Sequence, residues 1–409
     1  MLTLRLQSAL LRGADMAAQK LGLLDRPLDP DQLITAAQRA AGLRSFGDDG
    51  FRTPLGVLLR ACAAEAAPSV VGRATIRWDI VRLLTNLLRF RRAEDRAPDI
   101  LLEPIEQPVF ITGLPRSGTT FLHKLMMLDV ANQVPRVWET IHPPTVDGSA
   151  ARSGRDTRIR SVDRQLRWFE RLAPEFRAMH PIDASSPQEC SEITAHVFAS
   201  LRFDTTYRVP SYRRWLDETG HLEAYRFHKR FLQHLQFRSA PRRWVLKCPD
   251  HVFALAALRA VYPDARLVFV HRDPAKVLPS LTRLTEVLRR PFTRRIDRLE
   301  IGRQESDRWL DGARHMIDAA EADKSGGSTA HVLYSDLVAN PLATVENLYG
   351  RLGLPLPGEA ADRIAKFTTD EPSGGYGVNH YRLEDYGLDP EAERKKFADY
   401  AEYFSIRPE

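Results

Sequence analysis

Residues 108 to 128 read Pro-Val-Phe-Ile-Thr-Gly-Leu-Pro-Arg-Ser-Gly-Thr-Thr-Phe-Leu-His-Lys-Leu-Met-Met-Leu, and no other stretch restricts the fold so much. Val109, Phe110 and Ile111 form a short apolar run suited to a buried strand. Gly113 to Thr120 are small and turn-forming, and Phe121, Leu122, Leu125, Met126 and Leu128 then recur at helical spacing. The expected order is strand, tight loop, helix. That order aims unpaired backbone N–H groups and the positive end of a helix dipole at one point beyond the strand, where an anion binds. Gly113 and Gly118 let the backbone approach such an anion, Ser117, Thr119 and Thr120 add hydroxyl donors, and Arg116 adds a fixed cation. A nucleoside-triphosphatase loop, G-x-x-x-x-G-K-[ST], would need lysine at 119, where this chain has Thr119. The expectation is a phosphate cradle whose cation sits inside the loop and not beyond it.

The same alternation continues downstream. Apolar runs at Trp244–Lys247, Arg266–Val270 and Ala330–Tyr334 read as strands. Helical runs follow them at His251–Val261, from Pro274 through Leu288, and at Pro341–Leu352. Strands alternating with helices predict a parallel sheet with right-handed crossovers and ligands beyond the carboxyl ends of its strands. Residues 1 to 100 read as a helical N-terminal extension, with helices at Gln32–Gly42 (opened by Asp29-Pro30-Asp31), Pro54–Ala66 and Ala74–Phe90 and a charged exit from Arg89 to Arg96. Residues 101 to 409 are the α/β domain, carrying a helical, substrate-facing insertion at about 150 to 240. Its expected helices are Arg158–Ala173, Gln188–Arg202 and Tyr212–Gln236. Lys324–Ser328 and Pro372–Gly377 read as short flexible loops.

Composition narrows the partners. The net charge of +6 comes with arginines scattered along 409 residues, which favours an anionic ligand or surface over a dedicated nucleic-acid binder. Cys62, Cys190 and Cys248 are too few and too separated for a disulfide framework or a zinc site. No run approaches the roughly 20 apolar residues of a transmembrane helix, and Met1 to Ser8 lack a signal-peptide core, so a cytoplasmic protein is expected.

Gly113-Leu114-Pro115-Arg116-Ser117-Gly118-Thr119-Thr120-Phe121 resembles the 5′-phosphosulfate loop of sulfotransferases that use 3′-phosphoadenylyl sulfate (PAPS), in the arginine form of the tyrosylprotein and bacterial branches. The resemblance spans about residues 105 to 390. It implies a three-layer, P-loop-like α/β fold and in-line transfer of a sulfuryl group from PAPS to a hydroxyl or amine. Adenosine 3′,5′-bisphosphate would be released, and no metal would be needed. His271 to Ser280 resembles the family's 3′-phosphate motif, with Arg272 and Ser280 as the gripping residues. Val332 to Leu337 resembles the segment whose aromatic, here Tyr334, lies against the adenine. Leu246 to His251 looks like the lysine strand, so Lys247 would neutralise charge on the leaving phosphate or the sulfuryl oxygens. His380 to Leu388 resembles a C-terminal signature of the bacterial branch and offers Arg382 as a second phosphate contact, although the Arg-Lys-Gly of the cytosolic branch is missing.

In-line transfer also needs a general base for the acceptor proton. Glu139, in Val137-Trp138-Glu139-Thr140, matches the tyrosylprotein branch's glutamate if a short insertion is allowed, and stands first. His251 stands second, shifted from the cytosolic branch's histidine, whose place is nearer Pro249. Glu189 opens an insertion helix and is either a third candidate or a favourable charge at that helix's start, and His123 and His142 read as packed or solvent-facing histidines and not as bases. The acceptor stays open among small molecules, lipids and glycans, as does a homo-oligomeric assembly. The rival readings are a P-loop nucleotide kinase and a non-catalytic nucleotide-binding protein.

Overall fold

Five strands form the centre of the computed structural model: β1 Val109–Gly113, β2 Asn132–Gln133, β3 Arg243–Lys247, β4 Arg266–His271 and β5 Thr329–Leu333. The residues described are 13–24, 26–143, 157–323, 328–370 and 381–409. Lys324 to Gly327, the Pro372–Gly377 loop and His380 lie outside them. Spatial order is β2-β3-β1-β4-β5 and every pairing is parallel. The register sets Ile111 opposite Lys247, and Gly113 opposite Val270.

Successive strand side chains point to opposite faces, and this sheet is covered on both. Phe110, Leu246, Leu267 and Phe269 pack with the helices Arg52–Glu65, Val70–Arg96 and Leu222–Gln236. Their neighbours Val109, Ile111, Val245, Val268 and Val270 pack with Thr119–Met127, Pro341–Arg351 and Gly358–Asp370. The outcome is the expected three-layer α/β fold. The helices Pro30–Ala41, Arg52–Glu65 and Val70–Arg96 share one apolar cluster with the sheet and the insertion. A buried ionic group reinforces that contact: Arg82 pairs with Asp79 and Glu192, both at 2.6 Å, and Arg202 reaches Asp79 at 2.8 Å.

Several helices depart from the sequence expectation for identifiable reasons. The helix Pro30–Ala41 is as expected, capped by Asp29 and ended by Gly42 at φ +66°. The expected charged exit at Arg89–Arg96 instead continues the helix Val70–Arg96, because Glu94 is buried against Arg230 and His234. Gln188–Arg202 is not one helix. Buried Phe198 turns left-handed at φ +54°, and its carbonyl accepts the Tyr212 hydroxyl at 2.8 Å, so a tertiary contact overrides local propensity. Tyr212–Gln236 divides at Gly220 (φ +82°) into Pro210–Thr219 and Leu222–Gln236. The run after β3 begins as a 3₁₀ turn, Pro249–Phe253, before the helix Leu255–Val261. Tyr334 opens the helix Tyr334–Ala339 and is not the last residue of β5. The long helix Arg298–Ala322 and the short β2 were not anticipated.

Candidate active site

The loop after β1 is held by two glycines that no other residue could replace without strain. Gly113 sits at φ +141°, and a Cβ there would lie 2.2 Å from the Val270 carbonyl oxygen. Gly118 sits at φ +95°, and a Cβ there would lie 2.7 Å from the Tyr334 ring. Between them Arg116 adopts φ +62°, a left-handed conformation that costs a non-glycine residue about 1–2 kcal/mol. Strain of this kind persists where the surroundings over-determine a functional geometry. The helix Thr119–Met127 starts directly beyond, so its first N–H groups face the loop. The Ser117 hydroxyl is fully buried and has no hydrogen-bond partner. An unsatisfied buried hydroxyl in a loop at a helix N-terminus fits an anion as the missing partner.

The second basic cluster, at the end of β4, meets this loop directly. Arg272 Nη1 donates to the Arg116 carbonyl oxygen at 3.0 Å, and Arg116 Nε donates to Ser280 Oγ at 3.0 Å. The other edge of the Arg272 guanidinium grips the Glu409 carboxylate, with Nη2 to Oε2 at 2.9 Å and Nε to Oε1 at 3.1 Å. The Arg272 guanidinium also lies 3.9 Å from the Tyr334 ring centroid, and that ring rests against Gly118. Sequence reasoning had no signal for Glu409. Its backbone N–H donates to Asp273, which ties this residue to the turn after β4.

Both clusters line one cleft of about 890 Å³, together with Thr119, Thr120, Tyr334 and Arg382. Arg382 is exposed at its rim, with Nε 3.6 Å from Glu384. Another part of the lining comes from the insertion and from the turn after β3, with Glu189, Pro249 and Asp250. Lys247, only 2% exposed, donates to Thr120 Oγ1 at 3.0 Å and to the Glu189 carboxylate. Glu189 makes no capping bond to its own helix and pairs with Lys247 instead. Burial alone would push its carboxyl up, but the Lys247 ammonium overrides burial and holds it below the ordinary value. Asp250 also lines the cleft, and burial followed by the nearby Glu189 charge pushes its carboxyl up to about 7. His180 shares this lining, with burial and then Lys247 lowering its imidazole to about 4. Sequence reasoning named neither Asp250 nor His180, although Asp250 stands three residues after the strand-end lysine.

The two leading base candidates lie elsewhere. Glu139 Oε2 accepts the Arg136 N–H at 2.9 Å as part of a helix-start box, and burial raises its carboxyl. It is not among the residues lining the cleft. His251 is buried edge-on to Phe110, its Nδ1 bonded to the Tyr225 hydroxyl, and burial holds its imidazole well below the usual value. It borders a separate small cavity with Cys190 and Cys248. His123 is bonded to the Val245 carbonyl at 3.0 Å, as a packing histidine would be. The three cysteines are free and buried.

A P-loop-like sheet with an arginine-bearing anion loop and a basic cluster at the next strand end defines a nucleotide-dependent group-transfer enzyme. Residues 108–358 match the model of the Sulfotransferase family, and the chain belongs to that family. Among solved structures it is similar to sulfotransferase STF1 from Mycobacterium tuberculosis H37Rv, at 31% identity and a TM-score of 0.79 over 91% of this chain and 99% of that one. It is also similar to sulfotransferase STF9 from Mycobacterium avium, at 27% identity and a TM-score of 0.82 over 92% and 97%. Mycobacterium tuberculosis (strain CDC 1551 / Oshkosh) and Mycobacterium bovis each have a relative named omega-hydroxy-beta-dihydromenaquinone-9 sulfotransferase Stf3, 27% identical over 310 residues, or 70% of this chain and 72% of the relative. The chain is thus a PAPS-dependent sulfotransferase, and sulfuryl transfer, not the kinase alternative, is its chemistry.

Proposed function

We propose that the cleft takes the 5′-phosphosulfate of PAPS in the loop Pro115–Thr120 and its 3′-phosphate at Arg272 and Ser280, and that Glu189 accepts the acceptor's proton. The observation that carries this reading is the direct contact of the two basic clusters, Arg272 to Arg116 and Arg116 to Ser280, each at 3.0 Å. Two anion sites joined at one sheet edge suit a ligand with two separated phosphates. Tyr334 is the aromatic of this site and Arg382 its outer contact.

Sulfuryl transfer depends on in-line positioning and on stabilising charge at the transferred and leaving oxygens. The N–H groups at the start of Thr119–Met127, Arg116 and Lys247 supply that positive charge. Lys247 touches Thr120 of the loop on one side and Glu189 on the other, so it couples the leaving end to the base. Glu189 replaces Glu139 and His251 in this role because it alone of the three lines the cleft. Adenosine 3′,5′-bisphosphate is the product that remains in the loop.

Apolar side chains, including Phe121, Phe176, Ile182, Leu284, Leu288 and Trp309, line the remainder of the cleft. That lining, and the lipid acceptor in the name of the Stf3 relatives, support a hydroxyl carried on a lipophilic molecule. The enzyme would work in the cytoplasm, where its buried thiols stay reduced. Incubation with PAPS and a panel of long-chain alcohols, hydroxylated isoprenoids, phenols and sugars, read by mass spectrometry, tests the assignment. Sulfated lipophilic alcohols are expected. Tight bisphosphate binding without transfer to any acceptor would favour the non-catalytic reading.

A further inference from the structure

The helix Thr157–Leu172 carries five arginines against two carboxylates, and its apolar side is already used. Val162 is buried, Ile159 and Leu166 pack beside it against Val137 and Ala184, and Phe169 packs with Ala173 and Met179. Arg160, Arg164, Arg167, Trp168 and Arg171 are all exposed. At 3.6 residues per turn these five positions fall on one face. The helix's two carboxylates are turned away from it: Asp163 accepts the Ala184 N–H at 3.0 Å, and Glu170 lies 3.8 Å from Arg177. Among the described residues none of the four arginines has an ion-pair partner. Trp168 stands among them at 48% exposure.

We infer that this face is a docking surface for an anionic lipid bilayer, which it meets peripherally while the cleft takes its acceptor from the membrane. Rows of arginine around an exposed indole suit the headgroup region, where cations meet anionic phosphates and the amphipathic ring finds a boundary of matching polarity. The position of the face favours the same occupant. Phe169, on the inner side of this helix, packs edge-on to Phe176 with ring centroids 5.0 Å apart, and Phe176 lines the cleft. Leu284 and Tyr381, from the same apolar group, line it too. The helix that carries the arginine face thus packs, through its inner side, against residues that line the cleft. Among the described residues no helix is long and apolar enough to cross a membrane, so the contact is a surface one. A freely solvated helix would not need its carboxylates withdrawn from one face, nor a large indole held out among cations.

The inference rests on the lipophilic-acceptor reading but is tested separately from it. The full chain is sedimented with vesicles of phosphatidylglycerol and phosphatidylcholine, and with phosphatidylcholine alone, at 0.1 M salt. Wild type is expected on the anionic vesicles only. Each arginine near an anionic surface is worth about fivefold in partitioning, so Arg164→Ala with Arg167→Ala is expected to weaken binding about 25-fold. Trp168→Ala weakens it on its own, and binding falls as salt rises. Adenosine 3′,5′-bisphosphate affinity and turnover of a short, water-soluble alcohol stay at wild-type values in these variants, which separates lost docking from misfolding. Failure of wild type to sediment with anionic vesicles, or equal sedimentation of the double variant, overturns the proposal. So does a preference for heparin or polyglutamate over vesicles. Loss of vesicle binding alone leaves the sulfotransferase reading intact, and absence of any acceptor turnover leaves the docking result intact.

Discussion

Replacing Lys247 by methionine separates the structural role of its buried ion pair with Glu189 from the chemical role proposed for it. The side chain keeps its apolar stem but loses the ammonium that donates to Thr120 Oγ1 at 3.0 Å and to Glu189. Breaking a fully buried pair by removing one partner costs about 3–5 kcal/mol. Glu189 is 33% exposed to the cleft, so water softens its loss and about 2–3 kcal/mol is expected. With an unfolding entropy of about 2.1 cal/mol/K per residue, 409 residues give roughly 0.9 kcal/mol/K, so Tm should fall by about 2–4 °C. Adding Glu189→Gln removes the stranded charge and should restore most of that Tm. Activity behaves differently. If the proposed roles hold, loss of the Lys247 charge lowers kcat by about 10²–10³, and the double variant falls further because it also lacks the proposed base. Differential scanning fluorimetry and turnover with a saturating acceptor give the two readings. A Lys247→Met enzyme with kcat within threefold of wild type would refute the role assigned to this lysine, and a double variant with no recovered Tm would refute the pairing.

Three further outcomes follow from the same wall and loop. Asp250, with its carboxyl at about 7 in the folded chain and near 4 when unfolded, binds more protons folded, so its ionisation subtracts stability as pH rises through that window. Asp250→Asn should therefore raise Tm at pH 8 and leave it unchanged below pH 4, and equal effects at both pH values would contradict the shift. Glu409→Gln frees the Arg272 fork; a partly exposed pair of this kind is worth about 1 kcal/mol, so bisphosphate affinity by calorimetry should rise up to about fivefold, whereas a decrease would mean that Glu409 orients Arg272 for its ligand. Gly118→Ala combines left-handed strain of about 1–2 kcal/mol with displacement of the Tyr334 ring that supports Arg272, and is expected to weaken bisphosphate binding about tenfold or more; unchanged affinity would show that the loop tolerates the shift.

How much of this was legible in the sequence depended on distance along the chain. Strand, loop and helix from Val109 to Met127 were readable because every signal is local: an apolar run, two glycines, then helical spacing. The Arg272 and Ser280 motif was readable for the same reason, as a capped helix with Asp273 and Pro274 at its start. The Glu189–Lys247 pair was not: its two members are 58 residues apart in sequence, whereas Glu139 accepts the N–H of Arg136 at the start of its own helix. The helix Arg298–Ala322 went unseen because Gly302 and Gly312 interrupt its buried positions. Gly302 is there since a Cβ would lie 2.2 Å from the Tyr386 carbonyl oxygen, a contact no local pattern records. Glu409 on Arg272 likewise joins residues 137 apart.

The most direct test is calorimetry of adenosine 3′,5′-bisphosphate against adenosine 5′-monophosphate, with wild type, Arg116→Ala and Arg272→Ala. Wild type should bind the bisphosphate far more tightly. Arg272→Ala should lose most of that preference, because the 3′-phosphate has lost its charged partner and keeps only Ser280, while Arg116→Ala should weaken both. An Arg272→Ala enzyme that keeps the full preference for the bisphosphate would contradict the claim that the two basic clusters hold the two ends of one nucleotide.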